Sequence, residues 1–459
     1  MPTFVRSSLM PAPAEALAAW HFREGALQRL VPPWENARVL SASGGITDGS
    51  TVTLRLRKGP LRIDWLARHE RVEPGRGFVD RQERGPFAQW VHEHRFLPHE
   101  DGRSTLEDHV TYRLPLGALG AVLGGGLIRR DLHRTFAWRH RRTANDLRRH
   151  AEYGSEPLRV AVSGASGLVG RQLSAFLTTG GHQVRRIVRG AVDRERLDVA
   201  WDTRAGRLDA EFLNGVDAVV HLAGENIADR RWSAERKRAI RQSRVEGTRQ
   251  VAEALASLAV KPKVLIAASA IGFYGSRGPE PLDESSSAGS GFLAETCRAW
   301  EDATKPAEAA GIRVVHLRIG LVLTAAGGVL AKLRTPFSLG LGGPVGTGRQ
   351  GMSWIAMDDL LAAVLHCIRS PGLSGAVNAV APDPRSNGDF GRALGRVLRR
   401  PAIAPLPAAV VSAIFGEMGR ELLLRGAFVQ PRRLLESGFR FDLPRLEQAL
   451  EFELGRVKD

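Results

Sequence analysis

Hydrophobic and polar positions follow two different rhythms along this chain. Up to about His150 the apolar residues alternate over short runs, and a long helical pattern closes the segment. A short opening strand is followed by helices over Pro13–Trp20 and Ala26–Leu30, the second ended by Pro32 and Pro33. Strands are then predicted over Val52–Arg57, Arg62–Val72, Phe87–Leu97 and Thr105–Tyr112, where residues alternate with a period of two. From about Ile128 to Arg149, Ile128, Leu132 and Phe136 recur at helical spacing. Eight Arg residues between positions 129 and 149 fill much of the rest, read as a solvated face.

The polar stretch from His150 to Pro157 carries Gly and Pro and is read as a linker. Beyond it, apolar strands alternate with helices, the signature of a parallel sheet covered on both faces. Strands are predicted at Leu158–Ser163, Gln183–Val188, Ala218–Ala223, Val264–Ser269 and Val314–Arg318. Leu168–Thr179 and Ala234–Ala256 are predicted helices. The expected fold is an α/β Rossmann-type doubly wound sheet preceded by an α+β domain. Its parts are residues 1–150, residues 157–375, and a C-terminal region, 376–459, completing the substrate side.

Composition changes this picture little. The 459 residues are 43% hydrophobic and 25% charged, which excludes a mainly disordered, collagen-like or coiled-coil chain. The net charge is +16, and only seven of the 65 basic residues are Lys. No helix-turn-helix, zinc or RNA-binding signature accompanies that charge, so nucleic acid is not an expected partner. Two cysteines, Cys297 and Cys367, cannot form a disulfide framework. The N-terminus lacks a basic-then-apolar signal. The longest apolar run, Leu114–Ile128, is too short for a membrane span. A cytoplasmic protein without membrane contact is expected; oligomeric state is not legible.

The candidate chemistry lies in the second half. Strand Leu158–Ser163 runs into Gly164, Ser166, Gly167, Leu168, Val169 and Gly170, where a helix begins. Gly164 permits a tight turn, Gly167 lets the backbone approach a pyrophosphate, and Gly170 allows close helix–strand packing. The helix start then offers free N–H groups to phosphate. The second strand, ending at Arg189, carries no acid for a ribose 2′-hydroxyl; a guanidinium there suits a 2′-phosphate. NADP is therefore the expected cofactor, with NAD as the alternative.

Further motifs carry a resemblance. They are His221-Leu222-Ala223-Gly224, Arg231-Trp232, the turn Ser269-Ala-Ile-Gly-Phe-Tyr274-Gly275, Arg318-Ile-Gly320 and Gly348-Arg-Gln350-Gly-Met-Ser353-Trp354. Arg400-Pro401, Gly416-Glu417-Met418 and Pro431-Arg-Arg-Leu-Leu follow them. Over residues 158–459 the chain resembles extended short-chain dehydrogenases/reductases. Within them it is similar to the NAD-dependent epimerase/dehydratase branch and its "SulA-like" nucleoside-diphosphate-sugar epimerase group. The resemblance implies cofactor contacts at Gly164, Ser166, Gly167, Leu168, Val169, Gly170, Arg189, Leu222, Ala223 and Gly224. It implies hydride transfer between nicotinamide and a carbonyl or alcohol of a small-molecule substrate.

The familiar Tyr-x-x-x-Lys relay is absent. Four residues after Tyr112, Tyr153 and Tyr274 stand Leu116, Pro157 and Gly278. Matching the superfamily puts Gly291 and Glu295 at the Tyr and Lys positions, and Arg244 where an Asn is expected. Tyr274, Ser269 and Glu295 are the catalytic candidates in their place, with Glu284 as a further acid or base. The missing relay keeps a second reading open, a non-catalytic NADP(H)-binding regulator or sensor.

The first 150 residues resemble the helix-grip domains of the SRPBCC/START superfamily, through element order and the strand Trp90-x-His92-x-His94-x-Phe96. That implies a curved antiparallel sheet, a long helix and a cavity for an apolar ligand. His92 and His94 share a strand face and could share a metal. No carboxylate or Cys with ligand spacing lies beside them in sequence, so no metal is assigned.

Overall fold

The computed structural model describes residues 1–59, 61–154 and 156–457. It divides into two compact units, one chiefly Met1–Glu156 and the other chiefly Pro157–Ser174 with His182–Glu453.

The first unit opens with β1 (Thr3–Met10), α1 (Ala14–Phe22) and α2 (Ala26–Leu30). It continues through β2 (Asn36–Ala42), β3 (Thr51–Lys58), β4 (Leu61–Glu73), β5 (Gly77–Arg84), β6 (Gln89–Pro98) and β7 (Ser104–Arg113). A single helix, α3 (Gly117–Glu152), ends it. The strands form an antiparallel sheet in the order β1-β7-β6-β5-β4-β3-β2. This is the helix-grip arrangement that the resemblance implies. Alternation is strict on β6 and β7: Trp90, His92, His94 and Phe96 turn inward, as do Leu106, Asp108, Val110 and Tyr112.

Three expectations change. The long helix starts at Gly117 rather than Ile128 and runs past His150 to Glu152, so it absorbs the start of the expected linker. Its arginines are not a solvated face throughout. Arg142 and Arg149 are buried, and Arg142 donates to the Arg29 carbonyl and stacks on Trp138. The Arg29 guanidinium in turn makes a buried two-point pair with Asp146, at 2.8 and 2.6 Å. Nor is the interior uniformly apolar. Beside the clusters of Trp20, Phe78 and Phe96 and of Trp90, Tyr112 and Phe136 lie buried His21, His92, His94, Asp108 and His140.

The second unit begins with β8 (Arg159–Ser163), α4 (Leu168–Thr179), β9 (Gln183–Val188), β10 (Val199–Asp202) and β11 (Arg207–Leu208). It continues with β12 (Ala218–His221), α5 (Ala234–Ala256), β13 (Val264–Ala270), α6 (Phe292–Asp302), β14 (Arg313–Ile319) and β15 (Gly375–Ala379). The sheet order is β11-β10-β9-β8-β12-β13-β14-β15, parallel except for the β10–β11 pair. This is the doubly wound Rossmann-type sheet. β15 crosses the expected boundary at residue 375, so the C-terminal region begins inside the sheet. Helix α5 starts where Ser233 accepts a hydrogen bond from the Arg236 N–H at 3.0 Å, an N-cap. Ala161, Val219, Leu265, Val251 and Leu255 belong to one apolar core, fully buried. Among the described residues no helix is long and apolar enough to cross a membrane.

Candidate functional site

The order of strands reverses between β8 and β12, which leaves a crevice beyond their carboxyl ends. Ligands of open α/β sheets bind at such a switch point. The loop after β8 and the segment Leu222–Gly224 after β12 flank it. Ser163, the last residue of β8, joins the two: its hydroxyl lies 2.7 Å from His221 Nδ1 and accepts from the Leu222 and Ala223 N–H groups at 3.1 and 3.3 Å. Burial pushes the His221 imidazole down to about 4, so it is neutral there. Ser163 was not among the expected site residues, although its place before Gly164 could have pointed to it.

Glycine is required at two places in the loop. Gly164 has φ +69°, and a Cβ on it would stand 2.9 Å from the Leu222 carbonyl carbon. A Cβ on Gly170 would stand 2.2 Å from the Gly164 carbonyl oxygen and 2.8 Å from Ala165 Cα. The loop therefore lies directly on the first turn of α4. Ser166 and Gly167 remain exposed at its tip, with Leu168 and Val169 half-buried behind them. The free N–H groups of that turn are what a pyrophosphate needs.

Arg186 of β9 and Arg189 beyond it differ. Arg186 makes a two-point pair with Asp198, at 2.7 and 2.8 Å, and is not available to a ligand. Arg189 stands exposed just past the strand, with no ion-pair partner among the described residues.

The catalytic candidates are not brought together at an open surface. Tyr274 is fully buried; its hydroxyl donates to Asn378 Oδ1 at 2.8 Å and accepts from Arg318 at 3.0 Å. Burial holds the phenol above its ordinary range. Ser269 donates to Glu301 at 2.7 Å, and Glu301 takes both ends of the Arg318 guanidinium, at 2.9 and 2.8 Å. Arg318 also lies 3.4 Å over the Phe273 ring. Tyr274 and Ser269 thus belong to one buried network that braces the ends of β13, β14 and β15. Asn378 was missed because it comes from β15, over 100 positions away, and Glu301 because no spacing marks it out from Glu295 on the same helix. Glu284 accepts from the Asn378 N–H at 2.9 Å, and burial raises its carboxyl. Glu295 is exposed on the first turn of α6. Arg244 donates to the carbonyls of Ile240 and Glu225, at 3.1 Å each, and so anchors the segment after Gly224.

Residues 160–379 match the NAD dependent epimerase/dehydratase family, residues 406–453 a domain of unknown function, and residues 10–137 the family of polyketide cyclase/dehydrase and lipid transport. An epimerase family protein of Mycobacterium bovis is 44% identical over 297 residues, covering 65% of this chain and 98% of that protein. The chain belongs to the epimerase family. The bovine epimerase family protein SDR39U1 is 37% identical over 300 residues, covering 64% of this chain and 99% of that protein. Among solved structures, the nucleoside-diphosphate sugar epimerase from Corynebacterium glutamicum is 34% identical. It covers 99% of this chain and 90% of its own, with a TM-score of 0.82. The human epimerase family protein SDR39U1, solved with NADPH, is 34% identical over 65% of this chain and 99% of its own, with a TM-score of 0.60.

Proposed function

We propose that the second unit binds NADP(H) at the β8–β12 crevice and passes hydride between the nicotinamide and a carbonyl or alcohol carbon of a small-molecule substrate. The pyrophosphate lies on the first turn of α4, against Gly164, Ser166, Gly167, Leu168, Val169 and Gly170, with Leu222, Ala223 and Gly224 along the opposite wall. The observation that carries the cofactor choice is Arg189, exposed and unpaired where an acid would otherwise stand. A 2′-phosphate carries a charge of about −2, and a guanidinium meets it with charge-assisted hydrogen bonds. The human relative solved with NADPH supports the same choice.

Calorimetric titration of the unsubstituted chain and of Arg189→Ala with NADPH and NADH tests this. A charge-assisted bond of about 1.5–3 kcal/mol corresponds to about a ten- to hundredfold preference for NADPH. Arg189→Ala removes that preference and leaves NADH affinity unchanged. Equal affinities of the unsubstituted chain for both nucleotides overturn the assignment.

For the proton that accompanies hydride, Glu295 is the candidate open to a substrate, since Tyr274 and Ser269 are engaged in the buried network. That engagement also favours a second reading, an NADP(H)-bound regulator without turnover. Tyr274→Phe separates a brace from an acid. A brace costs about 1 kcal/mol of stability and leaves turnover in place. A loss of turnover beyond that cost returns Tyr274 to proton transfer. NADPH that stays unoxidised across a panel of aldehydes, ketones and keto-sugars supports the regulator.

A further inference from the structure

The first unit holds a second group of chemistry-bearing side chains, unconnected with the dinucleotide reading. The antiparallel register sets Asp80 of β5 opposite His92 of β6, and Asp108 of β7 opposite His94. Paired residues project to the same face of a sheet, so two carboxylates arrive beside two imidazoles that sequence spacing left alone. His92 and His94 are only 4% and 6% exposed. His92 Nε2 lies 2.7 Å from Asp108 Oδ1, and His140 Nε2, from α3, lies 2.6 Å from Asp108 Oδ2. His69 Nδ1 lies 2.5 Å from Asp80 Oδ1. One nitrogen each of His92 and His94 and one oxygen of Asp80 lie within 4.8 Å of one another.

We propose that Asp80, His92 and His94 bind a divalent first-row transition ion, of which zinc fits the ligand set, inside the first unit. Two imidazoles and one carboxylate are borderline nitrogen and oxygen donors, which such ions take. The spacing fits as well. His94 Nε2 stands 3.4 Å from Asp80 Oδ2, long for a charge-assisted hydrogen bond. It equals the edge of a tetrahedron whose centre lies about 2.0–2.1 Å from each ligand, roughly 3.4 Å. The other His94 nitrogen, Nδ1, lies 2.8 Å from Asp108 Oδ1, so that carboxylate orients the ring.

The surrounding contacts have the form of outer ligand support. Asp108 holds Nε2 of His92, which leaves Nδ1 of that ring to the ion. His69 holds Oδ1 of Asp80, which leaves Oδ2. Ligand-bound histidines and carboxylates are ordinarily oriented in this way by a further acid or imidazole. The Asp80 side chain is 24% exposed, so the cluster is not sealed from solvent. Three protein ligands leave a coordination position for water or a substrate, the pattern of reactive rather than structural sites. The fold has no need of the cluster, since apolar side chains of similar volume commonly stabilise a core as well or better.

The test uses the full-length chain with any purification tag removed, stripped by a chelator and titrated with cobalt(II). One cobalt per chain with a visible ligand-field spectrum, displaced by zinc, is the expected result. His94→Gln and Asp80→Asn each weaken cobalt binding at least about 100-fold while the circular dichroism spectrum is kept. X-ray absorption of the zinc-loaded, unsubstituted chain shows a nitrogen/oxygen shell with two imidazoles, a readout that requires no variant to fold. A chain that takes up no cobalt, a zinc shell without imidazole, or folded variants that bind cobalt as the unsubstituted chain does would each overturn the proposal.

Discussion

In the second unit the faces of the sheet are packed by Ala161, Val219 and Leu265, while the buried polar groups Ser163, His221, Ser269 and Arg318 gather at or near the ends of their strands. In the first unit the buried polar groups stand mid-strand, Asp108 within β7 and His92 and His94 within β6, beneath a helix that adds His140. Strand ends are where an open parallel sheet meets its ligands, so polar residues there leave the apolar core undisturbed. Mid-strand carboxylates and imidazoles displace core packing and cost desolvation. Buried polar groups thus sit at the ligand-facing edge of the sheet in the second unit and within the core in the first.

The largest test of this contrast is Asp108→Ala. Three imidazoles, of His92, His94 and His140, lose the carboxylate they share, and breaking such a buried pair costs about 3–5 kcal/mol. Denaturant unfolding of the chain without metal reads the loss in the first unit. A change below about 1 kcal/mol would mean that the mid-strand cluster is not electrostatically coupled.

The next is Gly170→Ala. The added methyl meets backbone atoms of Gly164 and Ala165 rather than a side chain that can swing away. The loop must leave its place on α4, and NADPH affinity falls about 100-fold, or about 2.8 kcal/mol. Affinity within threefold of the unsubstituted chain would show that the crevice does not depend on this close approach.

The smallest is a pH effect at His221. Its folded-state value, about 4, lies below the ordinary 6.5, so its contribution to stability is full above pH 6.5 and is lost as pH falls toward 4. Between pH 7.5 and 5 this amounts to about 2 kcal/mol. His221→Asn should flatten that part of the stability profile. An equally steep fall in the variant would assign the proton uptake to other groups, including the histidines of the first unit.

Most of the second unit could be read from the sequence because its signals are local. Helices α4 and α5 have the expected bounds, and the glycines at 164, 167 and 170 lie together in seven residues. What escaped was brought together across the chain. β5 was hidden because Gly77–Arg84 is mostly charged after its first residues, and with it went the placement of Asp80 beside His92. The Tyr274 network joins residues more than 100 positions apart, and no spacing rule reaches across that distance. The buried Arg142 of α3 was misjudged because its partner, the Arg29 carbonyl, becomes a neighbour only when α2 packs on α3.

The register of the first unit has a consequence during synthesis. β1 pairs along its whole length with β7, Thr3 opposite Thr111 and Met10 opposite Ser104, so the first strand made is completed by the last. At about 5–20 residues per second, a ribosome needs roughly 5–20 s to supply that partner. Through that interval Phe4, Val5, Leu9 and Met10 hang from the nascent chain with the backbone beside them unpaired. Residues 3–10 are thus a stretch that a holding chaperone would engage, and where slow translation before Arg113 would increase aggregation.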